Sequence, residues 1–167
     1  TKDKAILERE WNNTVAQIWD HLKQGKDVAF VTEGDPMMYS TFIHMMRLTQ
    51  ELHPEVEVKT VPGISSFLGA ASQLGLPLAD GDETIAIVPA TENYDDMRKA
   101  IDEHDCIVFI KVAKVMDMML MILRDLQLID KASVATKVTS SEEMIWTNVE
   151  ELQGAELGYL TLMVVRK

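Results

Sequence analysis

Apolar side chains at Leu7, Trp11, Val15, Ile18 and Leu22 recur at intervals of four, four, three and four residues, the spacing of one face of an α-helix. This predicts a helix over residues 3–24, stopped by Gly25 as a C′ glycine. The run Asp27-Val-Ala-Phe-Val-Thr32 is apolar on both faces and reads as a short strand of a buried parallel sheet. Glu33-Gly-Asp-Pro36 is a tight turn, and a helix is expected from about Met38 to His53, with Tyr39, Phe42, Ile43, Met46 and Thr49 inward. Pro54 ends it, and alternation in Val56-Glu-Val-Lys-Thr60 predicts a second strand. The crossover between the two strands should be right-handed.

Val61-Pro62-Gly63 interrupts the pattern and marks the expected boundary, with residues 1–61 as the remainder of an N-terminal lobe and 62–167 as a C-terminal lobe. A helix is expected from Ser65, as N-cap, to Leu74. After the loop through Asp80-Gly-Asp-Glu83 come a strand at Thr84–Val88, a helix at 92–103 and a strand at Cys106–Ile110. A further helix over 115–126 gathers Val115, Met118, Met119, Ile122, Leu123 and Leu126 on one face, which suits a core or a subunit interface. Strands at Ser133–Lys137, Met144–Trp146 and Tyr159–Val165 follow without long helices between them, so partly antiparallel pairing is expected. Strands alternating with helices define the fold class as α/β.

Composition narrows the function. Lys and Arg total 16 against 27 Asp and Glu, a formal charge of −11, and an acidic surface without a basic stripe opposes phosphate backbones. Residues 80–105 hold 9 acidic and 2 basic side chains, which reads as a solvated face. The longest apolar runs reach about half a membrane span. A soluble, cytoplasmic protein with no nucleic-acid or membrane partner is expected. Cys106 is the single cysteine and His21, His44, His53 and His104 are scattered. No internal disulfide or thiolate zinc cluster can form, and no structural metal is expected.

Two turns carry the candidate chemistry. Thr32-Glu-Gly-Asp-Pro36 follows the first strand, and ligands of open α/β sheets sit beyond the carboxyl ends of strands. Gly34 admits close approach to the backbone. The Asp35 carboxylate can cap a helix or accept from a ligand hydroxyl or amine. Val61-Pro-Gly-Ile-Ser-Ser66 offers backbone N–H groups and two hydroxyls at a helix start. Each turn alone is also explained by structure: a common Gly-Asp-Pro turn, and serine N-capping. Neither phosphate-loop pattern, G-x-G-x-x-G nor G-x-x-x-x-G-K, is present.

Taken together, Val28-Ala-Phe-Val-Thr-Glu-Gly-Asp-Pro-Met-Met-Tyr-Ser-Thr41, Val61-Pro-Gly-Ile-Ser-Ser-Phe67 and Leu76-Pro-Leu78 closely resemble the tetrapyrrole methylases of corrin and sirohaem synthesis. Gly81-Asp-Glu-Thr-Ile-Ala-Ile-Val-Pro-Ala90 and Tyr159-Leu-Thr-Leu-Met-Val-Val-Arg-Lys167 are most similar to the branch that methylates C20 of precorrin-2 or cobalt-factor II. The resemblance implies a two-lobed α/β molecule, with a parallel sheet in the first lobe and a mixed sheet in the second. It also implies S-adenosylmethionine as methyl donor in the cleft between them, and a homodimer. Carried over by position, donor contacts are Glu33, Gly34, Asp35 and Met38, then Ser65 and Ser66, then Lys111 and Thr139. Lys111 also reads as a solvated strand-end lysine. One departure is large: members open with a strand and a glycine-rich, substrate-facing loop, and no such pattern precedes Thr1. The chain therefore resembles a member lacking them, and its first lobe is expected to be incomplete.

The implied reaction is methyl transfer to a nucleophilic ring carbon, for which the protein supplies alignment and exclusion of water. A base would take the proton from that carbon. No residue stands out for it, since packing accounts for both Tyr39 and His44. Two alternatives remain: a methylase of the same fold acting on another corrin position, on uroporphyrinogen III or on diphthine, and a non-catalytic ligand-binding or dimerising fragment.

Overall fold

Helix α1 spans Lys4–Leu22, where the hydrophobic spacing places it, and Asp3 caps it by accepting from the N–H groups of Ala5 and Ile6. Gly25, at φ +76°, donates to the Leu22 carbonyl and closes the helix. These are features of a computed structural model that describes residues 3–167. The chain divides into two compact units meeting in sequence between Ser65 and Ser66, slightly beyond the Val61-Pro62-Gly63 break.

In the first unit α2 runs over Phe42–Leu52, starting later than the expected Met38. Tyr39 takes the left-handed conformation, φ +52°, which breaks a right-handed helix at that residue. The Ser40 hydroxyl then accepts from the Phe42 N–H at 3.1 Å. The two helices are joined by stacked rings. Trp11 lies on His44 with centroids 4.3 Å apart, and Trp19 lies on His53 at 4.0 Å. Val15 and Met45 are the buried apolar side chains here among the described residues.

The two strands expected in this unit are not hydrogen-bonded strands. Segments 27–33 and 56–62 carry no ladder, and no backbone hydrogen bond joins them among the described residues. A ladder needs neighbours about 4.8 Å apart. Here a cavity of about 470 Å³ is lined by both segments and by Leu22, Phe42 and Met45 of the helices. The doubly apolar Val28–Val31 run therefore remains exposed, Val31 at 88%. The parallel sheet expected in the first lobe is thus absent from the described residues.

The second unit holds a five-stranded mixed sheet between two helical layers. Its elements are α3 (Ser66–Leu74), β1 (Ile85–Pro89), α4 (Tyr94–Glu103), β2 (Cys106–Ile110), α5 (Met116–Asp125), β3 (Ala132–Thr136), β4 (Met144–Trp146) and β5 (Thr161–Arg166). The strand order is β1-β2-β5-β3-β4. β1 and β2 are parallel, whereas β5 is antiparallel to both its neighbours and β4 is antiparallel to β3. Side chains alternate across the sheet as strand geometry requires. Cys106, Val108, Ala135, Leu162 and Val164 pack with Phe67 and Ala70 of α3. Ile107, Phe109, Val134, Met163 and Val165 pack with Ile101 of α4 and Met119, Ile122 and Leu123 of α5. The apolar face expected over 115–126 is thus largely core. Met118 packs at its margin and Met121 is exposed. No helix among the described residues is long and apolar enough to cross a membrane. None of their His, Cys, Asp and Glu side chains form a group of three placed to hold a metal.

Phe109 is fully buried at the centre of this core, so Phe109→Ala should cost about 3–5 kcal/mol, read by urea unfolding. Backbone amides of Val28–Val31 lack ladder partners, so they should exchange far faster than those of Ile107–Phe109, measured by hydrogen–deuterium exchange on the intact chain.

Candidate functional site

In the first unit the chemistry gathers where the extended segment 27–33 ends. Gly34 adopts φ +66°, a region open to glycine without a Cβ penalty, and Pro36 fixes the backbone after it. Glu33 and Gly34 are exposed, and their main-chain groups take part in none of the backbone hydrogen bonds of the fold. The Met38 N–H donates to the Asp35 carbonyl at 3.2 Å, closing the turn and leaving the Met38 side chain half exposed.

The Asp35 carboxylate is bound by backbone groups of its own chain. It caps no helix, because α2 starts seven residues later, at Phe42. Instead one oxygen accepts from the Met37 N–H at 2.8 Å and the other from the Gly63 N–H at 3.0 Å. These two bonds, Gly63 foremost, hold its carboxyl below the ordinary value of 3.8, since hydrogen bonds to the charged form favour ionisation. The ties therefore act fully above the ordinary carboxyl pKa and are lost as pH falls through the lowered one. Gly63 itself admits no side chain: a Cβ there would stand 2.2 Å from the Gly34 carbonyl oxygen. Ser65, two residues on, is buried.

In the second unit α3 begins at Ser66, directly after the serine expected to precede it as N-cap, and Ser66 is exposed. Lys111 follows the last residue of β2 at φ +59°. Beyond β3, Lys137 and Thr139 are left-handed as well, at φ +48° and +67°. The sheet brings these positions to one edge. β2 and β3 both run opposite to β5, and Ile110 pairs with Leu162 while Thr136 pairs with Thr161. Lys111 and the 137–139 turn thus flank the start of β5.

The turn is held in place by its neighbours. The Lys137 N–H donates to the Leu160 carbonyl at 3.0 Å, and its ammonium pairs with Glu142, whose carboxyl it lowers. The Thr139 N–H donates to the Glu143 carboxylate, and its hydroxyl to the Val138 carbonyl. Gly69 of α3 faces this turn, where a Cβ would meet the Val138 Cγ1 at 3.1 Å and the Thr139 Cγ2 at 3.5 Å.

Glu33, Gly34, Asp35 and Met38 thus form one turn, and Lys111 and Thr139 share one sheet edge. Gly63 lay within the candidate turn 61–66 without a role of its own, whereas Gly69 and Glu143, which shape the 137–139 turn, were not among the sequence candidates. Glycine inside the apolar helix pattern Phe67-Leu-Gly-Ala70 was the available signal for Gly69. Of the residues considered as bases, His44 is stacked on Trp11 and Tyr39 lies in the turn before α2.

The family model described as Tetrapyrrole (Corrin/Porphyrin) Methylases matches residues 1–153. A Methanocaldococcus jannaschii protein named as a probable cobalt-precorrin-2 C(20)-methyltransferase is 34% identical over 168 residues, covering 99% of this chain and 69% of that protein. The cobalt-precorrin-2 C(20)-methyltransferase of Salmonella typhimurium is 28% identical, again over 99% of this chain and 69% of its own length. Among solved structures, a cobalt precorrin-4 methyltransferase gives a TM-score of 0.75 at 18% identity, covering 93% of this chain and 70% of its own. Uroporphyrin-III C-methyl transferase from Thermus thermophilus, solved with S-adenyl homocysteine, gives 0.65 at 18% identity, covering 93% and 73%.

Gly63→Ala should displace the Gly34 carbonyl and destabilise the first unit by about 1–3 kcal/mol, seen as a lowered thermal midpoint. Gly158→Ala is the control: nothing lies within 4 Å of a Cβ there, so its midpoint should stay close to that of the parent chain.

Proposed function

Because the chain belongs to the tetrapyrrole methylase family, we propose that it is the methyltransferase acting at C20 of precorrin-2 or of its cobalt-containing form, with S-adenosylmethionine as donor. The observation that carries the reading is 34% identity, across 99% of this chain, to a protein named for that reaction. The second named relative, at 28%, supports the same position on the ring.

The residues present fit a donor of this chemistry. A nucleoside linked to an amino acid needs polar partners for its hydroxyl, amino and carboxylate groups and apolar surface for its ring. The turn at Glu33–Asp35 offers exposed main chain beside the exposed side chains of Val31, Met38, Val61 and Ile64. Main-chain groups of Glu33, Gly34 and Asp35, together with Met38 and Ser65, would hold it in the first unit. When bound, the donor supplies a methyl group made electrophilic by its sulfonium.

The work of the chain is orientation and the exclusion of water, a proximity effect that reaches about 7–11 kcal/mol in ideal cases. Gly34 and Gly63 keep side chains out of the turn, so main-chain groups are reachable. Lys111 places one positive charge at the end of β2, which suits the carboxylates carried by either reactant. Its left-handed backbone sets the direction in which the chain leaves the strand.

Titration calorimetry with S-adenosylhomocysteine should show one site per chain, with a Kd of roughly 1–100 μM, or about −8 to −5 kcal/mol. A chain that is folded by circular dichroism yet shows no heat would count against donor binding. Incubation with S-adenosylmethionine and precorrin-2 should add the mass of one methyl group to the tetrapyrrole. Methylation of uroporphyrinogen III instead would move the reading to another member of the fold.

A further inference from the structure

The segments 28–32 and 57–61 carry the turns at Glu33–Pro36 and Val61–Ser65, yet no backbone ladder fixes one against the other among the described residues. Their position at the site end must come from something else. The Asp35 carboxylate reaches across 28 residues of sequence to the Gly63 N–H at 3.0 Å, while its other oxygen holds the Met37 N–H of its own turn at 2.8 Å. Where it does so the two backbones touch, since a Cβ on Gly63 would lie 2.2 Å from the Gly34 oxygen and 3.0 Å from its carbonyl carbon. Gly34 and Gly63 allow the approach, and Asp35 supplies the attraction that keeps it.

We propose that Asp35 is the positioning residue of the donor site: its carboxylate clasps the 61–65 loop to the 33–36 turn, and donor affinity depends on that clasp. The proposal rests on the donor reading given above. It assigns the Asp35 side chain a task distinct from contact with the donor. Both oxygens are occupied by N–H groups of the chain itself, and a charge-assisted bond to a backbone N–H is about twice as strong as a neutral one. With no ladder to share the load, loss of this bond frees the loop.

The test compares the parent chain with Asp35→Asn and Asp35→Ser, using calorimetry with S-adenosylhomocysteine and amide exchange at Gly63 read by NMR. Asparagine offers one oxygen, so one of the two N–H groups loses its acceptor whichever way the amide turns. Serine can serve its own turn as a short hydroxyl acceptor but does not span to Gly63. Both variants should bind S-adenosylhomocysteine about tenfold more weakly, the scale of one lost charged hydrogen bond. Serine should speed Gly63 exchange by at least about tenfold. Amides of Ile107–Phe109, in the other unit, should keep their protection.

Two results overturn the proposal. In the first, Gly63 exchanges in Asp35→Ser at the parent rate, which shows that the clasp does not hold the loop. Alternatively Gly63 is released in Asp35→Ser while affinity stays at the parent value, in which case the clasp serves the fold alone. Absence of binding by the parent chain overturns the donor reading and the positioning role with it, and Gly63 exchange then reports separately whether the carboxylate ties the two loops.

Discussion

The antiparallel insertion of β5 between β2 and β3 is the constraint on which the second unit depends. A strand opposed to both its neighbours forces those neighbours to run the same way. With β1 parallel to β2, three strands therefore deliver their carboxyl ends to one edge. Lys111 and Thr139 are brought to that edge by strand direction and register, from positions 28 residues apart in sequence. The central strand also divides the core cleanly, because Leu162 and Val164 belong to the α3 side while Met163 and Val165 belong to the α4–α5 side. One strand thus organises both the packing and the placement of these two candidate positions.

The first unit is organised differently. Among the described residues it buries few apolar side chains, and its extended segments lack a ladder. Its helices are joined by Trp–His stacks, and its turns by a single carboxylate with two backbone partners. In a sheet the position of a turn is set by many shared hydrogen bonds. Here it rests on few contacts, each of which carries correspondingly more. This is why Gly63 and Asp35 matter more than their exposure suggests.

Most of the second unit was legible in the sequence, because its strands and helices have the burial that their patterns demand. Cys106–Ile110 was read with its bounds, and α4 and α5 to within a residue or two at either end. In the first unit the same reasoning failed for a physical reason. Val28–Val31 has the composition of a central strand, but composition reports what a segment can bury, and a ladder also requires a neighbour at bonding distance. The late start of α2 came from a left-handed Tyr39, which periodicity does not register. The Gly-Asp-Pro and Pro-Gly turns were recognised as local features. Their tie through Asp35 and Gly63 is a tertiary contact between residues far apart in sequence, and neither turn shows it alone.

Three of the candidate positions, and Lys137 beside one of them, share a left-handed backbone. Gly34, Lys111, Lys137 and Thr139 all have φ between +48° and +67°, and three of the four are not glycine. A left-handed conformation costs such residues about 1–2 kcal/mol each, so it persists where the surroundings over-determine it. At the 137–139 turn those surroundings are visible: the Leu160 carbonyl holds the Lys137 N–H, and Glu143 holds that of Thr139. Glu142 and Glu143 are thereby engaged by their own turn, which occupies part of the chain's acidic excess at this end of the sheet. The course of the chain as it leaves β2 and β3 is thus specified by backbone conformation. The groups that hold the 137–139 turn in the left-handed region therefore matter to its shape as much as the residues within it.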